Sequence, residues 1–208
     1  MNLNEIKNCT NMHLIPKSIH LNRGILFDYR LFEALTEPKK EKDYIYDFDV
    51  YLHKYGINLQ RPYVWKHYQQ NEFILSILLE KPIQPFIAIQ YIKDTTNRNE
   101  NTIVYVIDGK QRLLTIKKFI HNKFPIIVNG KELYFKDFDD DLKRYFKNRV
   151  NYLTADVYYS YGDENDELYI NDDMKIILFN FYNFSGTPQT EKHKNKLQSL
   201  LNLKNDKI

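Results

Sequence analysis

The chain has little of several things, and each shortage removes a class of protein. Its 208 residues contain one cysteine, Cys9, so no disulfide framework can form within the chain, which fits a reducing compartment. One cysteine and six scattered histidines (His13, His20, His53, His67, His121 and His193) offer no zinc-ligand spacing. A Walker-type glycine-rich loop is absent. No apolar run approaches the roughly 18 residues that span a bilayer. The opening M-N-L-N-E-I-K-N lacks the apolar core of a secretory leader, so a cytoplasmic protein without membrane contact is expected. Strong charge of one sign is missing too. Lys and Arg number 30 against 27 Asp and Glu, and the resulting +3 is compatible with a polyanionic partner without demanding one.

What is present is a globular composition, 43% hydrophobic and 27% charged, in a chain long enough to bury a sizeable core. One domain, or one domain with an appendage, is expected. The most informative stretch is Val104 to Ile120, V-Y-V-I-D-G-K-Q-R-L-L-T-I-K-K-F-I. An apolar, β-branched run ends on Asp108. Gly109 follows, then Lys110, Gln111 and Arg112, and then a helical pattern with Leu113, Ile116 and Ile120 on one side. A strand thus feeds a helix through a turn bearing an acid, a glycine, an amide and two cations. Backbone N–H groups and cationic side chains meet at such a helix start, where an anion is favoured.

The rest of the chain is read in order. Leu14 to Asp28 mixes β-formers with a turn expected at Asn22-Arg23-Gly24. Glu37 to Asp43 is a charged loop. Tyr44 to Leu52 alternates with period two, which predicts a strand with one buried face. Ile57 to Lys66, I-N-L-Q-R-P-Y-V-W-K, holds the only Trp, and Pro62 restricts Arg61 to extended geometry. Helices are predicted over Tyr68–Glu80, from Lys110 to about His121, over Asp137–Lys147, Asp172–Phe181 and Thr190–Leu203. Strands are predicted over Phe86–Ile92, Thr102–Ile107 and Tyr152–Tyr159, with a polar loop at Asp94–Asn101. A hairpin is expected around Asn129-Gly130. Gly162–Glu167 reads as an acidic loop, and Asn183 to Pro188 as a helix-breaking loop.

Q-R-P-Y-V-W-K at 60–66, followed by V-I-D-G-K-Q-R-L at 106–113, resembles the N-terminal domain of GmrSD-type modification-dependent restriction systems. L-F-N-F-Y-N-F-S-G-T-P-Q at 178–189 aligns with that family's late motif in the same order. The resemblance covers about residues 57–200. It implies an α+β, ParB/sulfiredoxin-like domain over 57–208, with a small mixed sheet and surrounding helices. Residues 1–56 then form an N-terminal β-rich appendage.

The resemblance also implies a site. Gln60 and Arg61 lie beside it, and Asp108, Gly109, Gln111 and Arg112 form its signature loop. Asn183 and Gly186 close it from the late loop. Lys110 and Thr115 join the phosphate-binding set, and Asp108, Gln111 and Arg112 are the expected catalytic residues. The family associates this loop with binding and hydrolysis of nucleoside triphosphates, and the whole protein with defence against modified phage DNA. The expected ligand is therefore an NTP with Mg²⁺, with DNA and a separate nuclease subunit as further partners. Arg61 and Arg112 suit bidentate contacts to phosphate. Asp108 suits a water or Mg²⁺, and the backbone at Gly109 suits close approach to phosphate. Oligomeric state is not legible.

The chain departs from the family pattern in five places. Lys110 replaces a Gln, Ile57 a Pro, Phe181 an Arg and Ser185 a Gly, and His193 stands near a usual Glu. The eroded late motif bears on hydrolysis more than on fold. Other readings stay open. Asp108 could simply cap the helix, and Arg112 could pair with a nearby carboxylate. The chain could also be a stand-alone DNA-binding or nicking module, or a non-catalytic interaction protein of a phage or mobile element.

Overall fold

The computed structural model describes residues 21–25, 31–36, 45–92, 103–183 and 199. The readings for the charged loop, the 94–101 loop, Gly186 and the last helix fall outside these residues. Nine strands are described: β1 (Leu21–Ile25), β2 (Ile45–Asp47), β3 (Tyr51–Leu52), β4 (Ile57–Asn58), β5 (Phe86–Ile92), β6 (Ile103–Asp108), β7 (Ile126–Val128), β8 (Lys131–Leu133) and β9 (Thr154–Tyr161). The described helices are α1 (Leu31–Thr36), α2 (His67–Leu78), α3 (Lys110–Ile120), α4 (Asp140–Asn151) and α5 (Asp172–Asn183). The architecture is mixed α and β.

One five-stranded mixed sheet, ordered β1-β9-β5-β6-β2, forms the centre. β5 runs antiparallel to β6 and parallel to β9, and β2 runs parallel to β6. Both faces of the sheet are buried, and alternation assigns the residues. Phe86, Ala88, Val104 and Val106 face α1, α2, α3 and α4, whose Leu31, Phe73, Ile74, Leu113, Phe119 and Phe146 complete that core. Ile87, Ile89 and Ile107 face the other way, against Ile176, Leu178 and Phe179 of α5 and Val50, Leu52 and Leu59. β1 and β2, from the segment read as an appendage, are the two edge strands of this sheet.

Two local readings need correction. Asn22-Arg23-Gly24 lies inside β1, where Asn22 pairs with Val157 and Gly24 with Ala155. Pairing with a long neighbour overrides turn propensity. The strand expected over Tyr44–Leu52 breaks after Asp47. Asp47 Oδ1 accepts the N–H groups of Asp49 at 2.8 Å and Val50 at 2.9 Å, and Val50 takes φ +53°. This Asx turn sends the chain out of the central sheet and into the β3–β4 ribbon. The hairpin at Asn129-Gly130 forms as expected, with both residues at positive φ between β7 and β8.

The strand-to-helix junction rests on Gly109. It is the N-cap of α3 with φ +104°, a backbone state that L side chains avoid. Its space is also taken. A Cβ there would lie 2.2 Å from Phe86 Cδ1 and 3.2 Å from the Arg112 guanidinium. The sharp turn is what aims the first turn of α3 outward beside the end of β6.

The short helix α1 is held by α4. Asn151, only 7% exposed, accepts the Phe32 N–H at 2.7 Å and donates to Glu33 at 3.3 Å. Lys147 pairs with Glu33 at 2.5 Å. Burial alone would raise the Glu33 pKa, but the hydrogen bonds from Lys147, its own backbone and Asn151, with the Lys147 charge, hold it below its usual value of 4.5.

Two outcomes are expected. Gly109→Ala should cost about 2–5 kcal/mol in urea unfolding, combining positive-φ strain with overpacking against Phe86. Glu33→Gln should flatten the acid limb of the stability profile. A depressed carboxylate stabilises fully above its unfolded pKa, and that contribution disappears as pH falls through the folded value. Unfolding midpoints of wild type and variant from pH 3 to 7 test this.

Candidate functional site

The carbonyl of Ile107, at the end of β6, is where separate parts of the chain converge. Gln60 Nε2 donates to the carbonyls of Val106 at 2.7 Å and Ile107 at 2.8 Å. Asn183 Nδ2 donates to the same Ile107 carbonyl at 3.0 Å and to Phe179 at 3.1 Å. The segment after β4 and the end of α5 are thereby fixed on either side of the 108–112 turn. Around this junction lies a pocket of about 580 Å³, within the range of small-molecule sites.

Gln60, Arg61, Asp108, Gly109, Lys110, Gln111, Arg112 and Asn183 all line that pocket. Residues separated by more than a hundred positions are thus brought together in the order the sequence motifs suggested. Thr115 does not line it. It is fully buried, donates to the Gln111 carbonyl and bonds the Tyr63 hydroxyl at 2.8 Å. Asn183 sits at the end of α5 rather than in a loop, because the helix runs two residues past its expected end. Phe181, where the family pattern has an arginine, is 40% exposed and off the pocket lining.

Each polar side chain has a definable task. Asp108 does not cap α3, whose cap is Gly109 without any side-chain bond. Instead Asp108 Oδ2 pairs with Arg112 at 3.0 Å, one helical turn away. Arg112 also donates to the carbonyls of Gln84 and Pro85, and its guanidinium stacks 4.5 Å over the Phe86 ring. Burial pushes the Arg112 pKa down, while the Asp108 carboxylate works against that fall. Lys110, nearly buried, reaches Asp49 at 2.5 Å. Gln111 clips the extended segment in place, accepting the Val64 N–H at 2.9 Å and donating to the Pro62 carbonyl at 3.1 Å.

Arg61 differs from all of these. It lines the pocket and makes no hydrogen bond or ion pair with any described residue. Asp108 Oδ1 likewise accepts no hydrogen bond from a described residue. The N–H groups of Lys110, Gln111 and Arg112 belong to the first turn of α3 and have no intrahelical acceptor. Among the described charged lining residues, Arg61, Lys110 and Arg112 stand against Asp108, and with Asp49 counted against Lys110 the site keeps a net positive charge.

Sequence reasoning missed three features of the wall. Asp49 neutralises Lys110. The face of α2 with Gln69, Phe73 and Ser76 forms the opposite side, and Trp65 packs edge-on against Phe73 at 5.5 Å. Pro82 to Gln84 close the rim. The pattern P-I-Q-P at 82–85 was the available signal, since two prolines force an extended chain whose carbonyls must find donors outside a helix or sheet.

Among the described residues no group of three metal-ligating side chains occurs, and no helix is long and apolar enough to cross a membrane. No solved structure matches the chain. A protein named alpha-amylase 2 from Dictyoglomus thermophilum is 30% identical over 116 residues, which is 53% of this chain and 20% of that protein. The chain spans about a fifth of that relative, so its name carries no activity across. The model of the GmrSD restriction endonuclease N-terminal domain matches residues 52–208, which include the whole 60–66 segment, the 108–112 turn and Asn183. The chain belongs to the GmrSD restriction endonuclease N-terminal domain family.

Proposed function

We propose that the pocket binds the phosphate chain of a nucleoside triphosphate, and that the protein acts in DNA restriction or defence together with a nuclease. The observation that supports this most directly is Arg61. A guanidinium without a partner among the described residues faces a pocket already rich in N–H donors, and bidentate contact to phosphate is what that group does best. The first turn of α3 supplies backbone N–H groups and the positive end of the helix dipole. The restriction role comes from the family, which is named for an endonuclease. On the same basis we take the domain to be ParB/sulfiredoxin-like.

In this reading the signature residues divide into two groups. Arg112, Gln111 and Gln60 position the pocket, because they donate to Asp108 and to backbone carbonyls, and Gln111 also accepts the Val64 N–H. Arg61 and the α3 N–H groups are left to hold phosphate. Mg²⁺ would arrive with the nucleotide. Among the described lining residues Asp108 is the one carboxylate, and Mg²⁺ commonly uses one or two carboxylates plus substrate phosphates. Asp108 Oδ1 is the atom available to that ion or to an attacking water.

Titration calorimetry with NTPs and Mg²⁺ tests the proposal. Wild type should bind, and Arg61→Ala should weaken binding roughly tenfold to a hundredfold, as expected for about 1.5–3 kcal/mol of charge-assisted hydrogen bonding, with the unfolding midpoint unchanged. Arg112→Ala should lower the midpoint itself, since it frees Asp108 and two carbonyls. Absence of binding by wild type to every NTP would remove the proposal.

A further inference from the structure

Ser76, Pro82 and Ile83 line the main pocket and also a second hollow of about 200 Å³ beside it. The second hollow lies between the end of α2, the end of α4 and the start of β9, with Arg149 and Tyr152 in its wall. Arg149 makes no hydrogen bond with any described residue, and its Nε is shut away from solvent without an acceptor. Among the described residues, the carboxylate near it is Glu80, which stands 3.6 Å from Nη1, while the same Glu80 oxygen accepts the Tyr145 hydroxyl at 2.8 Å. Arg149 and Lys81 outweigh Glu80, so this hollow also carries a net positive charge.

The two hollows repeat one composition. The first has Arg61, without a hydrogen bond to any described residue, and the Trp65 ring. The second has Arg149, likewise without one among the described residues, and the Tyr152 ring, which is 58% exposed. A cation for phosphate and an aromatic face for a base, repeated along a groove, is how single strands are held without sequence preference. A mononucleotide with its phosphates at Arg61 has no second anionic group to offer Arg149.

We propose that the two hollows form one groove for a single-stranded oligonucleotide, with one phosphate at Arg61 and a later phosphate at Arg149. This rests on the reading of the first pocket as a phosphate site. The plain alternative makes Arg149 a loose surface partner of Glu80, a kind of pair that contributes little. That alternative predicts no dependence on ligand length.

Fluorescence anisotropy on the full chain, with labelled oligo-dT of two, four and eight nucleotides and inorganic tripolyphosphate as competitor, separates these cases. Affinity should rise between two and four nucleotides. Arg149→Ala should weaken the longer strands at least fivefold and reduce the salt slope by about 0.7, leaving competition by tripolyphosphate unchanged. Arg149→Lys should recover the salt slope, and Tyr152→Leu should weaken the longer strands without altering it. Equal affinity at all lengths, or an Arg149→Ala variant that binds like wild type, overturns the groove even if tripolyphosphate competes. Preference for a duplex of equal length overturns it as well. Failure of tripolyphosphate to compete overturns the phosphate reading of the first pocket.

Discussion

The contact on which the rest depends is the Phe86 ring lying where a Cβ of residue 109 would be. β6 must turn into α3 within a single residue, and only glycine can occupy φ +104° with an aromatic carbon 2.2 Å from the missing Cβ. Phe86 belongs to β5, the neighbour of β6, so the turn is keyed to the sheet. Arg112 then stacks over that buried ring and reaches back to Asp108. A strand pair, a turn and a helix start become one rigid corner. Gln111 fastens the 60–66 segment to that corner, and Gln60 and Asn183 fasten two more segments to the strand end.

This arrangement explains why a pocket with three cations retains so few uncommitted ones. A guanidinium with a carboxylate at 3.0 Å, two carbonyl acceptors and a ring beneath it has little donor capacity left. Lys110 is likewise held by Asp49. Their charge still acts on the pocket, because pairing inside a partly buried site screens it only in part. Their donors, however, maintain geometry. Under the proposed phosphate reading, preorganisation of this kind would leave recognition to Arg61 and to backbone N–H groups that cannot move away.

The features that could be read from the chain are those set by local pattern. The short apolar run Phe86–Ile92 and the run into Asp108 pointed to the central strands, Asn129-Gly130 to its hairpin, and the three motifs to eight of the sixteen described lining residues. The features that escaped depend on distant partners. Asp47 breaks a well-alternating strand because its carboxylate competes for the backbone. Asn22-Arg23-Gly24 extends because β9 offers a full ladder. Leu31–Thr36, not read as a helix at all, is too short to be stable alone and is held by Asn151 and Lys147 from more than a hundred residues away. Thr115 looked like a phosphate ligand by position, yet Tyr63 folds over to take its hydroxyl.

The erosion of the late motif can now be weighed by place. Phe181 sits on the outer face of α5, packed edge-on against Tyr182 at 5.0 Å, two residues before the side chain that reaches the pocket. Helical spacing makes the point general: residues i and i+2 project about 200° apart, so a pocket-facing Asn183 turns position 181 away from the pocket. An arginine there would point to solvent rather than into the pocket beside Gly109. Its replacement by phenylalanine therefore leaves the corner around Gly109 intact.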